Sequence, residues 1–417
     1  MAHHLVIQLA RFGDMVQTKR LLLSLAARPE DSVHLLVDAS LASLARIIFP
    51  FTVVHAVRAH ATGVNTATVL QENRDVFVDL ASIPFDSVYN LNFSGMALAL
   101  AGLFNTERVY GYSRRNGQPM RSPWVRMGFR WAGNRRIAPS NLVDFWAHLH
   151  QAPVSSDRVN PEAVPQKDGK IAIVAAGREA RRSLPPEVLA PLVESVFAAH
   201  GGPKMLVLGS NAEAPFARKL ARLVRPQVLQ KLENICGQTT LTDLPDILSE
   251  CSLVLTPDTG IMHLAAHCGI PVTAFFLSSA WGFETGPYGV GHTVFQATRS
   301  CTPCVESKPC PFSVACLTPF SAPELATVLR GKDPKIWPDD LVHLQTRMDS
   351  FGCDYHVLRG TFSDMTRHLS LRAFLAEYVG VGESRDIENW NAEAVFHESD
   401  WVLPQEDIAH ERNMEGG

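Results

Sequence analysis

The sequence predicts an α/β protein: two doubly wound parallel-sheet halves facing a cleft, followed by a C-terminal extension. Three observations predict it. Apolar, β-branched runs alternate with amphipathic helical stretches from residue 3 to about 150, and again from 168 to about 330. Between the two series, residues 150–169, HQAPVSSDRVNPEAVPQKDG, are rich in Pro, Ser and charge, as a linker is. A chain of 417 residues is also too long for one ordinary hydrophobic core. The expected domains are 1–155, 168–330 and an extension, helical and partly disordered, over 331–417.

In the first half, residues 3–9 read as a strand, RFGDM (11–15) as a tight loop and 16–27 as an amphipathic helix. SVHLLVD (32–38) is the next strand and LASLARII (41–48) a helix. TVVHAV (52–57), VFVDLA (76–81) and SVYNLNF (87–93) are three further strand candidates. In the second half, KIAIVAA (170–176) and KMLVLGS (204–210) are strands, each followed by a helix. A helix over 241–251 leads into the strand SLVLT (252–256) and a helix capped by Asp258-Thr259-Gly260. LRAFLAEYVGV (371–381) reads as helix, and the acidic residues 383–417 as partly disordered.

The balance of 46% hydrophobic and 19% charged residues, with net charge −4, is that of a soluble globular protein and does not call for a nucleic-acid partner. No run approaches the ~18 apolar residues of a membrane-spanning helix. The apolar run near the N-terminus is too short for a secretory signal and is interrupted by Arg11, so the expected location is the cytoplasm. The first βα loop lacks GxGxxG, which disfavours a nicotinamide or flavin enzyme.

Ligands of such folds sit at the carboxyl ends of strands, so residues 10–15, 176–184, 209–213 and 256–261 are the informative loops. The Asp258-Thr259-Gly260 turn sets backbone N–H groups at a helix start, an anion site, with His263 one turn on. His267 completes HLAAH but lacks the Glu of HExxH, so it reads as a packed histidine. Arg178, Arg181 and Arg182 crowd another strand exit and suit a diphosphate. Glu213 follows a strand end, where it either accepts from ribose hydroxyls or caps a helix. Asp14 is either a cleft carboxylate able to act as general base or an N-cap. Residues 114–136 hold seven arginines and no acid, interleaved with Trp124, Phe129 and Trp131, which suits an anionic amphiphile or membrane surface ahead of single-stranded nucleic acid or an ordinary basic face with packed aromatics. Cys301, Cys304, Cys310 and Cys316 fall within sixteen residues as CxxCx₅Cx₅C, which reads either as a four-thiolate zinc or iron site or as free thiols.

These motifs resemble glycosyltransferase family 9, the bacterial ADP-heptose:lipopolysaccharide heptosyltransferases. The resemblance rests on RFGDM, on DTGIMHLAA, on GPYG followed by CTPC, and on DSVYNLNFSG with RVYGY; it covers about residues 3–330. It implies a GT-B fold, two Rossmann-like domains with the active site between them, and inverting heptosyl transfer without a catalytic metal. Asp14 then resembles the base. Arg182 takes the place of a family lysine on the diphosphate, and Leu184 stands where the family has tryptophan. Gly177, Glu213, Asp258, Thr259, Gly260 and His263 are implied in donor binding, and Arg114, Arg115 and Arg126 are assigned to an anionic acceptor.

The family's default acceptor is a hydroxyl of the lipopolysaccharide inner core, reached at the inner face of the inner membrane. A branch of the family modifies proteins and carries a cysteine-ligated iron, which keeps a protein acceptor and a structural metal open. A catalytically silent sugar-nucleotide binder and an epimerase of the same fold are the other readings.

Overall fold

The computed structural model describes residues 1–60, 65–175, 180–382 and 389–396. The first half runs β1 (His3–Gln8), α1 (Phe12–Val16), α2 (Lys19–Leu25), β2 (Ser32–Asp38), α3 (Ala42–Ile48), β3 (Val53–Val57), α4 (Thr66–Ser82), β4 (Ser87–Asn90), α5 (Gly95–Ala101), β5 (Val109–Arg115) and β6 (Gln118–Arg121). It closes with α6 (Pro123–Trp131) and α7 (Leu142–Ala147). The sheet order is β3-β2-β1-β4-β5-β6, parallel except for the β5–β6 hairpin.

The second half runs β7 (Lys170–Val174), α8 (Pro186–Ala199), β8 (Met205–Leu208), α9 (Ala214–Leu223), α10 (Pro226–Leu229), β9 (Leu232–Asn234), α11 (Leu244–Ser249) and β10 (Cys251–Pro257). It continues with α12 (Gly260–His267), β11 (Val272–Phe276), α13 (Gly282–Thr285), β12 (Thr293–Ala297), α14 (Pro323–Leu329), β13 (Leu341–Met348), β14 (Cys353–Arg359), α15 (Met365–Tyr378) and α16 (Asn389–Val395). The sheet order is β14-β13-β12-β11-β10-β7-β8-β9. In both sheets the order reverses beside the first strand, between β1 and β4 and between β7 and β10, and ligands of open α/β sheets bind at such points. The central strands are apolar throughout because helices cover both faces; every residue of β10 and β11 is buried.

Two expectations are corrected. VFVDLA is not a strand but the end of α4, which Asn65 caps by accepting from the Ala67 N–H. Val76, Phe77 and Leu80 recur at helical spacing and pack against Leu5, Ile7 and Val88, so the 3.6-residue period prevails over β-branching. The extension after residue 330 is not only helical: β13 and β14 pair antiparallel onto β12 and complete the second sheet. Most of the acidic tail expected to be disordered lies outside the described residues. α15 crosses back to the first half, where His368 Nδ1 lies 2.8 Å from the Ala138 carbonyl and Arg372 donates to the Pro139 carbonyl at 2.8 Å.

Two of the contacts between the halves bear on the site. Away from the cleft, buried Arg20 of α2 donates to Asp144 Oδ1 of α7 at 2.5 Å and to the Phe351 carbonyl at 2.9 Å. Tyr288 O–H and the Cys353 N–H donate to the same Asp144 carboxylate at 2.6 and 2.8 Å. At the cleft, α1 abuts the start of α12. A Cβ on Gly260 would stand 2.2 Å from the Phe12 ring, and one on Gly13 would stand 2.9 Å from the His263 ring. Only glycine permits this approach at both positions.

Candidate functional site

The second contact opens into a cleft of about 660 Å³ lined by residues of both halves. From the first half come Arg11, Gly13, Asp14, Gln17 and Arg135; from the second come Arg182, Glu213, Asp258, Thr259, Gly260, His263, Ser279, Thr285 and the segment Cys304-Val305-Glu306. The structure thus brings Asp14, Arg182, Glu213, Asp258, Thr259, Gly260 and His263 together from four separate strand ends.

Asp14 sits in the first turn of α1, where its Oδ2 accepts from the Arg11 N–H at 3.1 Å. It therefore both caps the helix and faces the cleft. Burial raises its carboxyl above the usual range, while the Arg11 N–H and nearby His263 oppose the shift. Thr259 caps α12 by accepting from the Met262 N–H at 3.4 Å, which leaves the first N–H groups of α12 at the cleft wall. Burial lowers the His263 pKa, against the opposing pull of Asp258 and Asp14; its Nε2 lies 3.8 Å from Asp258. Asp258 is engaged by the Arg182 guanidinium and accepts from the Thr285 hydroxyl at 3.1 Å. Arg182 also reaches Glu306 Oε1 at 3.5 Å. Glu213 lines the cleft while accepting from the Ser210 N–H at 2.7 Å, so the capping role and the cleft position coexist.

Sequence reasoning missed Arg135, Gln17, Glu284 and the loop Val305–Glu306. Arg135 belongs to the arginine-rich segment. It crosses from the first half to donate to Glu284 at 2.7 Å and to the Ser279 carbonyl at 3.1 Å. Burial raises the Glu284 carboxyl, and Arg135 opposes that shift. Arg114, Arg115 and Arg126 do not line the cleft; they stand exposed on β5 and α6, beside exposed Met120 and Phe129. Trp124 and Trp131 of the same segment are core residues. His267 is packed edge-on against Phe49 and pushed down to about 3 by burial. Gly177 and Arg178 lie outside the described residues.

The four cysteines line one cavity of about 400 Å³, but they are not drawn into a ligand set. Among the described residues no group of three or more His, Cys, Asp or Glu side chains is placed to hold a metal ion. Three of the four thiols have other partners or packing. Cys304 Sγ lies 3.2 Å from the Ser278 hydroxyl, Cys310 Sγ accepts from the Val314 N–H at 3.3 Å, and Cys316 is buried beside Phe320. The loop instead walls the cleft, held by Arg181, which donates to the carbonyls of Val305 and Lys308 at 3.2 and 2.6 Å.

Two Rossmann-like sheets with a polar cleft between their switch points define the GT-B class of fold. Residues 156–314 match the sequence family described as glycosyltransferase family 9 (heptosyltransferase). The lipooligosaccharide heptosyltransferase 2 of Haemophilus influenzae is 27% identical over 75 residues, which are 18% of this chain and 22% of that protein. The alignments with such curated relatives span only 22% to 34% of the relatives' own length. Among solved structures, the E. coli ADP-heptose LPS heptosyltransferase II is 15% identical, with a TM-score of 0.53 over 70% of this chain and 90% of that one. The E. coli heptosyltransferase WaaC with ADP is 17% identical, with a TM-score of 0.52 over 71% of this chain and 93% of that one. These likenesses show the fold. No helix among the described residues is long and apolar enough to cross a membrane.

Proposed function

We propose that the chain is an inverting glycosyltransferase that moves a heptose from ADP-heptose to a hydroxyl of an inner-core lipopolysaccharide acceptor at the cytoplasmic face of the membrane. One observation carries this reading: the Asp14 carboxylate of one half faces the start of α12 and Arg182 of the other across one polar cleft. A base on one wall and an anion site on the other are what displacement of a nucleoside diphosphate requires.

In the proposed reaction the donor diphosphate lies against the first N–H groups of α12 and the Arg182 guanidinium. Arg182 then exchanges part of its bond to Asp258 for phosphate oxygens. The acceptor hydroxyl gives its proton to Asp14 as its oxygen attacks the anomeric carbon from the face opposite the diphosphate. The anomeric C–O bond to phosphate breaks, the configuration inverts, and ADP leaves with the electron pair. The charge growing on it is stabilised by the helix start and Arg182, a fixed arrangement that requires no reorganisation during the step. No step passes through a metal. Exposed Arg114, Arg115 and Arg126, with Met120 and Phe129 beside them, form the edge assigned to the anionic lipid-linked acceptor.

The test is thermal stability of the purified protein against ADP, UDP, GDP, CMP and ADP-heptose. A ligand held at ~100 times its dissociation constant adds about 2.7 kcal/mol. A shift confined to ADP and ADP-heptose supports the donor assignment, a shift with UDP or GDP overturns it, and no shift with any nucleotide overturns the reading of the cleft.

A further inference from the structure

We infer that Glu306 is a counter-ion that competes with the donor diphosphate for Arg182, and so sets how tightly the cleft holds a nucleoside diphosphate. The inference rests on the reading of Arg182 as a diphosphate ligand. The structure holds Arg182 between two carboxylates, Asp258 through Nη2 and Glu306 through Nη1, the latter at 3.5 Å. Both carboxylates line the cleft. The two contacts differ in kind. The Asp258 side chain is 8% exposed, follows β10 directly, and also accepts from the Thr285 hydroxyl. The Glu306 side chain is 37% exposed, its contact is long, and it stands on a loop. A guanidinium fork fits a phosphate as well as a carboxylate. A phosphate arriving at Arg182 therefore displaces Glu306 whole, while the bond to Asp258 is exchanged only in part.

The loop brings Glu306 to this guanidinium through its backbone. Arg181, next in sequence to Arg182, donates to the carbonyls of Val305, Glu306 and Lys308. On the other side the Cys304 N–H donates to the Ser278 carbonyl at 3.0 Å. The main chain around Glu306 is thus pinned, and the carboxylate can leave Arg182 by rotation of its own side chain. Electrostatics give the sign. A diphosphate gains Arg182 only by taking it from Glu306, and it then meets the like charge of the displaced carboxylate. Asp14, Glu213 and Asp258 also line the cleft, so that charge adds to an already acidic surrounding. Both effects weaken nucleotide binding. Both reverse as ADP departs and Glu306 returns to Arg182, so the contact favours product release.

The test is titration calorimetry of the full chain with ADP, comparing wild type with Glu306→Gln and Glu306→Ala, together with crystal structures of wild type without nucleotide and with ADP. An unliganded melting temperature equal to that of wild type certifies the folding of the variants. We expect both variants to bind ADP about threefold or more tightly than wild type, a change of the size a partly exposed ion pair supplies. In the ADP complex a phosphate oxygen should stand on Arg182, with the Glu306 carboxylate more than about 4 Å away. Equal ADP affinity overturns the inference. Weaker affinity overturns it too, and makes Glu306 a ligand of the nucleotide rather than its competitor. A Glu306 carboxylate still on Arg182 beside bound ADP, or a phosphate held elsewhere, overturns it and leaves ADP as the ligand of the cleft. Absence of ADP binding to wild type overturns both this inference and the donor reading.

Discussion

Two contacts between the halves treat buried polar groups in opposite ways. Away from the cleft, Arg20, Asp144, Tyr288 and the Cys353 N–H satisfy one another, and Asn141 donates to the Gly286 carbonyl and to Tyr355 Oη at 3.1 and 2.9 Å. At the cleft, Gln17, Ser279 and Arg182 each bury a polar atom without a partner, and Asp14 carries a carboxyl that burial pushes up. A chain that completes its hydrogen bonds so fully at one contact can do so at the other. Unmatched buried groups also occur elsewhere, at His292, His343 and Arg359 among others, so the contrast is one between these two networks.

The sharpest way to separate the two contacts is Asp14→Asn. Transfer should fall about 10²–10⁴-fold, measured as ADP release, the range for a lost acid–base group. Stability should rise. The folded carboxyl is raised above its unfolded value, so its contribution is fully present below the unfolded pKa and is lost as pH rises through the folded one. At neutral pH the ionised group therefore weighs against folding, and Asn removes that charge. Unchanged turnover would remove Asp14 from the chemistry; a lower melting temperature would erase the contrast.

At the other contact, Asp144→Ala strands the buried Arg20 charge and should cost about 3–5 kcal/mol by denaturant unfolding. A cost under about 1 kcal/mol would mean that the network does not hold the halves together. Next, Arg182→Ala should lower transfer about 10²–10³-fold with a smaller loss in melting temperature, and Arg182→Lys should recover part of the rate. A pH series sharpens the same point: kcat/KM should decline on the acid side through a value above the ordinary 3.8 of aspartate. A limb at or below that value would contradict the half-buried setting of Asp14. The smallest effect concerns the cleft wall. Backbone N–H groups of Phe312 and Val314 hold the Cys310 thiol below its ordinary pKa, so Cys310 should alkylate ahead of the other cysteines in a mass-resolved time course.

Much of this architecture was legible because each half repeats one pattern of apolar strand, loop and helix. β1, β7, β8 and β10 have apolar centres, and the loops after them hold most of the residues that meet in the cleft. α4 was misread because Val76 and Val78 favour strands locally, and only the packing of Val76, Phe77 and Leu80 on one face reveals the helix. β13 and β14 escaped notice because His343, Gln345, Arg347 and His356 break up their apolar runs, while pairing to β12 supplies the hydrogen bonds. Gln17 and Arg135 carry no local signal: one is an ordinary helix-end glutamine, the other one arginine among seven. Their place follows from how the halves dock, which no short motif encodes.

The bond from Arg20 to the Phe351 carbonyl spans 331 residues. On a ribosome adding about 5–20 residues per second, the segment bearing Arg20 waits roughly 15–70 s for that partner to be synthesised. During that interval the first half has its strands and the Asp144 counter-charge, but not the backbone that encloses its buried guanidinium. α2 thus gains its full set of buried bonds only after the Phe351 segment has been made, and nascent chains halted before β14 should remain open to proteases at α2.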